Sequence, residues 1–139
     1  TSLGLLAEDQ GDPRRAVALY AEGLRLAQVS GRLVTVIAGL EGAARAHLTP
    51  TRGSHAGAVR LVGASDALRA AHGIPLPSAR RTIHERAVAA GRLLMGEARW
   101  EAAWRAGRGL TVEQALAEAL RMDDGEDESG KRAAARADD

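Results

Sequence analysis

Four histidines, at positions 47, 55, 72 and 84, are the side chains in this sequence best suited to metal or acid–base chemistry. His84-Glu85 opens an H-E-x-x-H pattern, in which two imidazoles one helical turn apart hold zinc beside a general base. Val88 stands where the second imidazole is needed, so that reading fails. His47, His55 and His72 are scattered between helix surfaces and helix ends. The chain has no cysteine, which excludes disulfides, thiolate metal sites and thiol redox chemistry. No G-x-x-x-x-G-K-[ST] loop is present to cradle phosphate, and no strand–turn–helix elbow is present to activate a serine. Paired carboxylates occur only after residue 122, where nothing would hold them in a catalytic geometry. The expectation is a non-enzyme with no catalytic, cofactor-binding or metal-binding residues and no cofactor.

Nucleic-acid recognition is the next chemistry to weigh. "GRGLTVEQALAEAL", residues 107–120, has the form of the opening of a helix-turn-helix, with Arg99, Arg105 and Arg108 beside it. A recognition helix would have to come next. The chain instead runs into the acidic stretch "DDGEDE", which repels phosphate. Trp100 and Trp104 lie four residues apart and fit the cap of an apolar core better than a base-stacking platform. Direct nucleic-acid binding is therefore not expected.

The composition sets the framework for these residues. A chain of 139 residues supports one domain with a real core. Apolar residues make up 45%, but the aromatics amount to two Trp and one Tyr, and Phe is absent. Ala-rich chains of this kind bury surface by bringing helix backbones close together. No apolar run approaches the roughly 20 residues of a membrane span, and no signal segment is recognisable, so a soluble, cytoplasmic protein is expected. The net charge of +1 conceals a split: residues 1–122 carry 16 Arg against 11 acids, and residues 123–139 carry 7 acids against 3 bases. The latter stretch has no apolar periodicity and reads as a disordered acidic tail. The chain begins without Met in the middle of an apolar pattern, and is expected to be a piece of a longer protein.

Helical periodicity runs through nearly everything before residue 123. A short helix over 2–10 stops at Gly11. Asp12 then serves as N-cap and Pro13 as first helical residue, opening a helix to about Ser30 with Ala16, Leu19, Tyr20, Gly23, Leu24 and Ala27 on one face. Gly31 ends it. Further helices are expected over about 32–48 (Val36, Leu40, Ala43 and Ala44 inward), 55–72 (Ala58, Leu61, Val62, Ser65 and Leu68), 78–95 (Ile83, Ala87, Ala90 and Leu94) and 97–106. "TPTRGS" and "HGIPLP" separate them. Thr111 opens a seventh helix with a capping box to Gln114, ending near Met122. Strand signals are lacking.

A shift of 42 residues superposes Gly11 on Gly53, Ala16-Val17 on Ala58-Val59, Leu19 on Leu61, Tyr20 on Val62, Gly23 on Ser65 and Leu26 on Leu68. A helix-pair unit therefore occurs twice. "LGLLAEDQGDPRRAVALYAEGL" resembles a tetratricopeptide unit, through Leu3-Gly4, Ala7, Gly11-Asp12, Ala16, Tyr20 and Gly23. Small residues there allow two antiparallel helices to approach, and Leu3 and Tyr20 fill the seam. Gly23 departs from the usual Ala, and the closing Pro is missing near Gln28. From Leu40 to Leu120 the chain resembles the C-terminal end of large, mostly actinobacterial, STAND-class ATPase-type transcriptional regulators, LuxR-type and antibiotic-regulatory proteins among them. The marks are Leu61, Gly63, Ala64, Ala67, Leu68, Arg69, Gly73, Pro75, Pro77, Trp104, Gly107, Leu110, Thr111, Glu113, Ala115 and Leu120.

That resemblance implies an all-α, tetratricopeptide-like right-handed superhelix of about seven helices in antiparallel pairs, spanning residues 1–122. It also implies ATPase and effector domains elsewhere in a parent chain. Two functions are expected on this basis. One is a protein-interaction or sensing scaffold that binds a protein or peptide partner or other domains of the parent chain. The other is a structural end-cap in which Trp100, Trp104 and the last helix cover the final repeat. Inward faces built mostly of Ala, Gly and Val favour the cap. Exposed apolar residues around Leu3, Leu5, Leu6 and Tyr20 are expected to support a homodimer through the N-terminal helices.

Overall fold

The computed structural model describes residues 2–49 and 55–123. Among them there are seven helices and no strand: α1 (Ser2–Asp9), α2 (Pro13–Ser30), α3 (Leu33–His47), α4 (His55–His72), α5 (Ser78–Met95), α6 (Glu97–Arg108) and α7 over residues 112–123. The expected breaks fall where the local chemistry puts them. The Asp12 side chain accepts the Arg15 backbone N–H at 3.1 Å, and Pro13 occupies the first helical position. Gly31 ends α2 in the left-handed conformation (φ 71°), which glycine adopts without a Cβ clash. The Thr111–Gln114 capping box forms in both directions, at 3.1 and 2.9 Å. Most of the TPTRGS break and the acidic tail, expected to be disordered, lie outside the described residues. Asp123, assigned to that tail on sequence, instead ends α7 and pairs with Arg25 at 3.2 Å.

The helices stack in chain order, α1 on α2, α2 on α3 and α3 on α4. Leu24 meets Gly39 while Tyr20 meets Gly42, so residue numbers run in opposite directions and α2 and α3 are antiparallel. The 42-residue equivalence holds at three of its pairs and fails at Leu26, which is exposed where Leu68 packs on the core, and at Gly23, half-buried where Ser65 is enclosed. Ala16 and Ala58, Val17 and Val59, and Tyr20 and Val62 are all buried, while Leu19 is half-buried where Leu61 is fully enclosed. α3 is the most enveloped helix, with even Glu41 and His47 buried. α4 is the hub of the second half and packs against α3, α5 and α6. α7 crosses it where Met122 and Glu118 meet Gly57.

Glycine decides how closely α4 and α6 approach. A Cβ on Gly63 would collide with the backbone carbonyl of Trp104, and one on Gly107 with the backbone of Arg60. Backbone is here packed on backbone, which is how a core poor in aromatics reaches native density. α5 is the exception to this close packing. Gly91 is its one buried residue, set against Leu48 and Trp100. Of the expected inward stripe of α5, Ala87 packs against the core and Ala90 is half-buried, but Ile83 and Leu94 are exposed, and His84, Val88, Gly91 and Met95 are turned inward beside Ala87.

Gly63→Ala and Gly107→Ala should each destabilise the fold by about 1–3 kcal/mol or more, because neither colliding group is a movable side chain. Gly109→Ala, whose Cβ would meet its nearest neighbour at 3.6 Å, should stay within roughly 0.5 kcal/mol of the parent chain. Ala16→Leu, at a fully enclosed position, should cost about 1–3 kcal/mol. Urea denaturation of the four proteins measures all three effects, and unchanged midpoints for the first two would refute the close crossing.

Candidate interaction surface

The residues singled out for chemistry are dispersed. His47 is buried at the end of α3, and His55 donates through Nε2 to the Thr49 carbonyl at 2.7 Å. His72 is exposed, and His84 lies 3.7 Å from Asp66. Among the described residues no three His, Asp or Glu side chains come together as metal ligands. Among the described residues no helix is long and apolar enough to cross a membrane.

Trp100 and Trp104 stack with their centroids 5.8 Å apart and their planes within 14°. Each ring also carries a guanidinium, Arg92 at 4.2 Å from the Trp100 centroid and Arg108 at 4.9 Å from that of Trp104. The Trp104 indole N–H donates to Asp66 Oδ2 at 3.1 Å. The Arg92 contact joins α5 to α6, and the Trp104–Asp66 hydrogen bond joins α6 to α4, so these rings are committed within the fold. Arg105 is likewise engaged, with Glu101 at 2.8 Å. Arg99 lies on a different side of α6 from Arg105 and Arg108, which are neighbours three residues apart.

Several residues that carry the family resemblance also have packing roles. Arg69 donates to Glu41 through Nε at 2.8 Å and Nη2 at 2.7 Å, and to the Pro75 carbonyl through Nη1 at 2.9 Å. One guanidinium thus ties α4, α3 and the HGIPLP loop together. The hydrogen bonds to Glu41 raise the Arg69 pKa above its ordinary value. Sequence reading missed this pair, whose partners lie 28 residues apart.

Tyr20 is the second such centre, and here one expectation is corrected. Its ring lies against Gly4 of α1 and Gly42 of α3, where side chains would collide with it, and it is 1% exposed. It therefore fills the seam and contributes nothing to an outer patch. The hydroxyl donates to Glu8, and Arg45 Nη2 donates to the hydroxyl at 3.2 Å and to Glu8 Oε1 at 3.2 Å. Burial, and then the hydrogen bond to Glu8, push the Tyr20 pKa well above its ordinary value. Burial opposes the charge on Arg45, but Glu8 outweighs it and the Arg45 pKa is raised.

Large apolar side chains are left exposed on the first three helices and, at Ile83, Leu93 and Leu94, on α5. Leu3 and Leu6 of α1, Leu26 and Val29 of α2, and Val34 of α3 are exposed, Val29 to 90%. Leu5, expected among them, is half-buried.

Two measurements probe the buried polar centres. Removing one partner of the Arg69 pair, as in Glu41→Ala, should cost about 3–5 kcal/mol, while Glu41→Met with Arg69→Met should recover most of it. Tyr20 is the sole tyrosine, so tyrosinate absorbance reports on it alone. Its raised folded-state pKa gives a contribution that is complete below the unfolded value, near pH 10. That contribution is lost as pH rises beyond it toward the folded value. Tyr20→Phe should therefore flatten the alkaline loss of stability, and an identical profile in both proteins would refute the assignment.

Comparison with protein families, characterised proteins and solved structures finds no match for this chain.

Proposed function

We propose that the chain is a non-catalytic, tetratricopeptide-like interaction scaffold of the cytoplasm, the C-terminal helical-repeat part of a bacterial transcriptional regulator. The observation that carries this reading is the placement of Leu3, Leu6, Leu26, Val29 and Val34 outside a core built largely of Ala and Gly. Contiguous exposed apolar surface marks association sites, and Leu3 and Leu6 share one side of α1 while Leu26 and Val29 share one side of α2, each pair three residues apart. The repeated helix pair supports the repeat reading, and the resemblance of residues 40–120 supports the regulator context.

The end-cap remains the second reading, favoured by a specific observation. Gly63, Arg69, Pro75, Trp104 and Gly107, all among the marks of the resemblance, are engaged in packing α4 against α3, α6 and the intervening loop. A segment whose characteristic residues serve packing suits the closing of an array as well as it suits ligand binding.

Under the scaffold reading, sedimentation should show a modest, concentration-dependent homodimer. Leu6→Asp or Val29→Asp should abolish it without changing the melting temperature, because both positions are exposed. A strict monomer at high concentration would instead favour the cap. Duplex DNA should bind only through generic Arg–phosphate attraction that disappears with added salt, and ATP should not be hydrolysed. Sequence-preferring binding at physiological salt, or turnover, would overturn both readings.

A further inference from the structure

α5 is attached to the fold more lightly than the other long helices. Of its 18 residues only Gly91 is buried, against eight in the equally long α4. Ala87, Val88 and Met95 pack on the core without being enclosed by it. Its polar ties are long. His84 Nε2 lies 3.7 Å from Asp66 and Arg92 Nε 3.6 Å from Glu97, beyond hydrogen-bond reach. Arg92 also lies over the Trp100 ring, but its own side chain is exposed, which weakens such a contact. Among the described residues no side chain of α5 hydrogen-bonds to another helix, whereas α4 makes such bonds through Arg60, Asp66 and Arg69.

The neighbours of α5 hold one another without it. α4 and α6 meet backbone to backbone at Gly63 and Gly107, and the Trp104 indole N–H donates to Asp66. Arg69 joins α4 to α3 through Glu41. Both ends of α5 are also secured independently of its body. Arg69 Nη1 donates to the Pro75 carbonyl at 2.9 Å, which keeps the preceding loop on α4. At the other end Gly96 turns the chain into α6 with φ 81° and ψ 152°, a conformation open almost only to glycine. The Trp100 backbone N–H then donates to the Gly96 carbonyl at 3.0 Å. Beneath α5, Gly91 lies against Leu48 and Trp100, which are 6% and 4% exposed with the helix in place.

We infer that α5 is a strap that opens between Pro75 and Gly96 while the other helices stay folded, uncovering Leu48 and Trp100. Local opening costs least where little apolar surface is enclosed and few side-chain ties must break. Both conditions hold for α5 and neither holds for α4. α6 stays in place because the glycine crossing joins it to α4 directly. The floor beneath the strap is then an apolar surface presented only in a minor conformation. The inference goes beyond the scaffold reading and does not depend on it.

Native-state hydrogen exchange on the full chain tests it. Amides in the middle of α5 should exchange roughly tenfold faster or more than those of α4 and α6. Their exchange should also depend less on added urea, because opening one helix exposes little surface. Ala16→Leu, which overpacks the α1–α3 end, should speed exchange in α3 and leave α5 unchanged. Tyr20→Phe serves the same purpose if the first variant does not fold. Leu48→Cys introduces a thiol into a chain that has none, and a disulfide reagent should reach it with the protection of α5 and not that of α4. Three outcomes would overturn the inference: α5 amides as protected as those of α4 and α6, α5 rates that rise in step with α3 in either N-terminal variant, or a thiol at position 48 as protected as α4.

Discussion

The approach of α4 to α6 at Gly63 and Gly107 is the constraint on which the rest of the second half depends. With neither Cβ present, the Arg60 and Trp104 carbonyls come into contact with the opposing backbone. That fixes how deeply α6 sits on α4. It also places Trp104 where its indole N–H reaches Asp66, the carboxylate that His84 of α5 also faces. One close crossing therefore sets the positions of α5 and of the stacked tryptophans. A chain with two Trp, one Tyr and no Phe has few other means of filling a core, because close packing has to come from backbone surfaces when large side chains are scarce.

Around this crossing, α4 acts as a polar hub. Arg69 reaches α3 through Glu41, Arg60 reaches α7 through Glu118 at 3.0 Å, and Asp66 reaches α6. Buried pairs of this type contribute little net stability compared with apolar replacements. Their value here is geometric. Helices faced with Ala and Gly slide easily past one another, since such faces have shallow ridges and grooves, and a bidentate guanidinium–carboxylate pair accepts only one register. Tyr20 performs the same service at the other end, where α1, α2 and α3 meet through Glu8 and Arg45.

The division between what was legible in the sequence and what was not tracks the range of the interactions. Caps and breakers act within a turn, so Asp12, Pro13, Gly31 and the Thr111–Gln114 box fixed helix ends to within about two residues, and the bounds of α4 and α5 agree with the periodicity. The residues expected inward on α4 are buried or half-buried, but so are Gly57, Val59, Gly63 and Ala64 on its other sides, because several helices pack on it. α5 was legible only in part, at Ala87 and Ala90, for a physical reason. Its rotation is set by Leu48, Asp66 and Trp100, from three other segments, and no local hydropathy pattern records them. Glu41 was unreadable as a core residue because its partner Arg69 is on another helix. Tyr20 was recognisable as a seam residue, but that Gly4 and Gly42 leave its ring fully covered emerges only when three helices are assembled. Of the candidate surface, Leu3 and Leu6 were foreseen. Leu26, Val29 and Val34 were not, because their exposure depends on how α2 and α3 pack.

The same scarcity of large side chains bears on function. The largest fully buried aliphatics are Leu24, Ile37, Leu40 and Leu61, while Leu3, Leu6, Leu26, Val34 and Leu93 remain outside. Each Leu left in water forgoes roughly 1.5–3 kcal/mol of burial, a large sum against the roughly 5–15 kcal/mol of a typical domain. A core short of bulk would gain from exchanging some of its alanines for these leucines, were stability alone at stake. The close crossing admits no side chain at Gly63 or Gly107, and alanines such as Ala16 are already fully enclosed, which keeps the core small. They do not explain why the surface is apolar, since Ser, Gln or Lys would serve equally well at Leu6 or Leu93 if those positions faced only water. That second fact is the physical support for the proposed scaffold, in which a bound partner would cover those side chains.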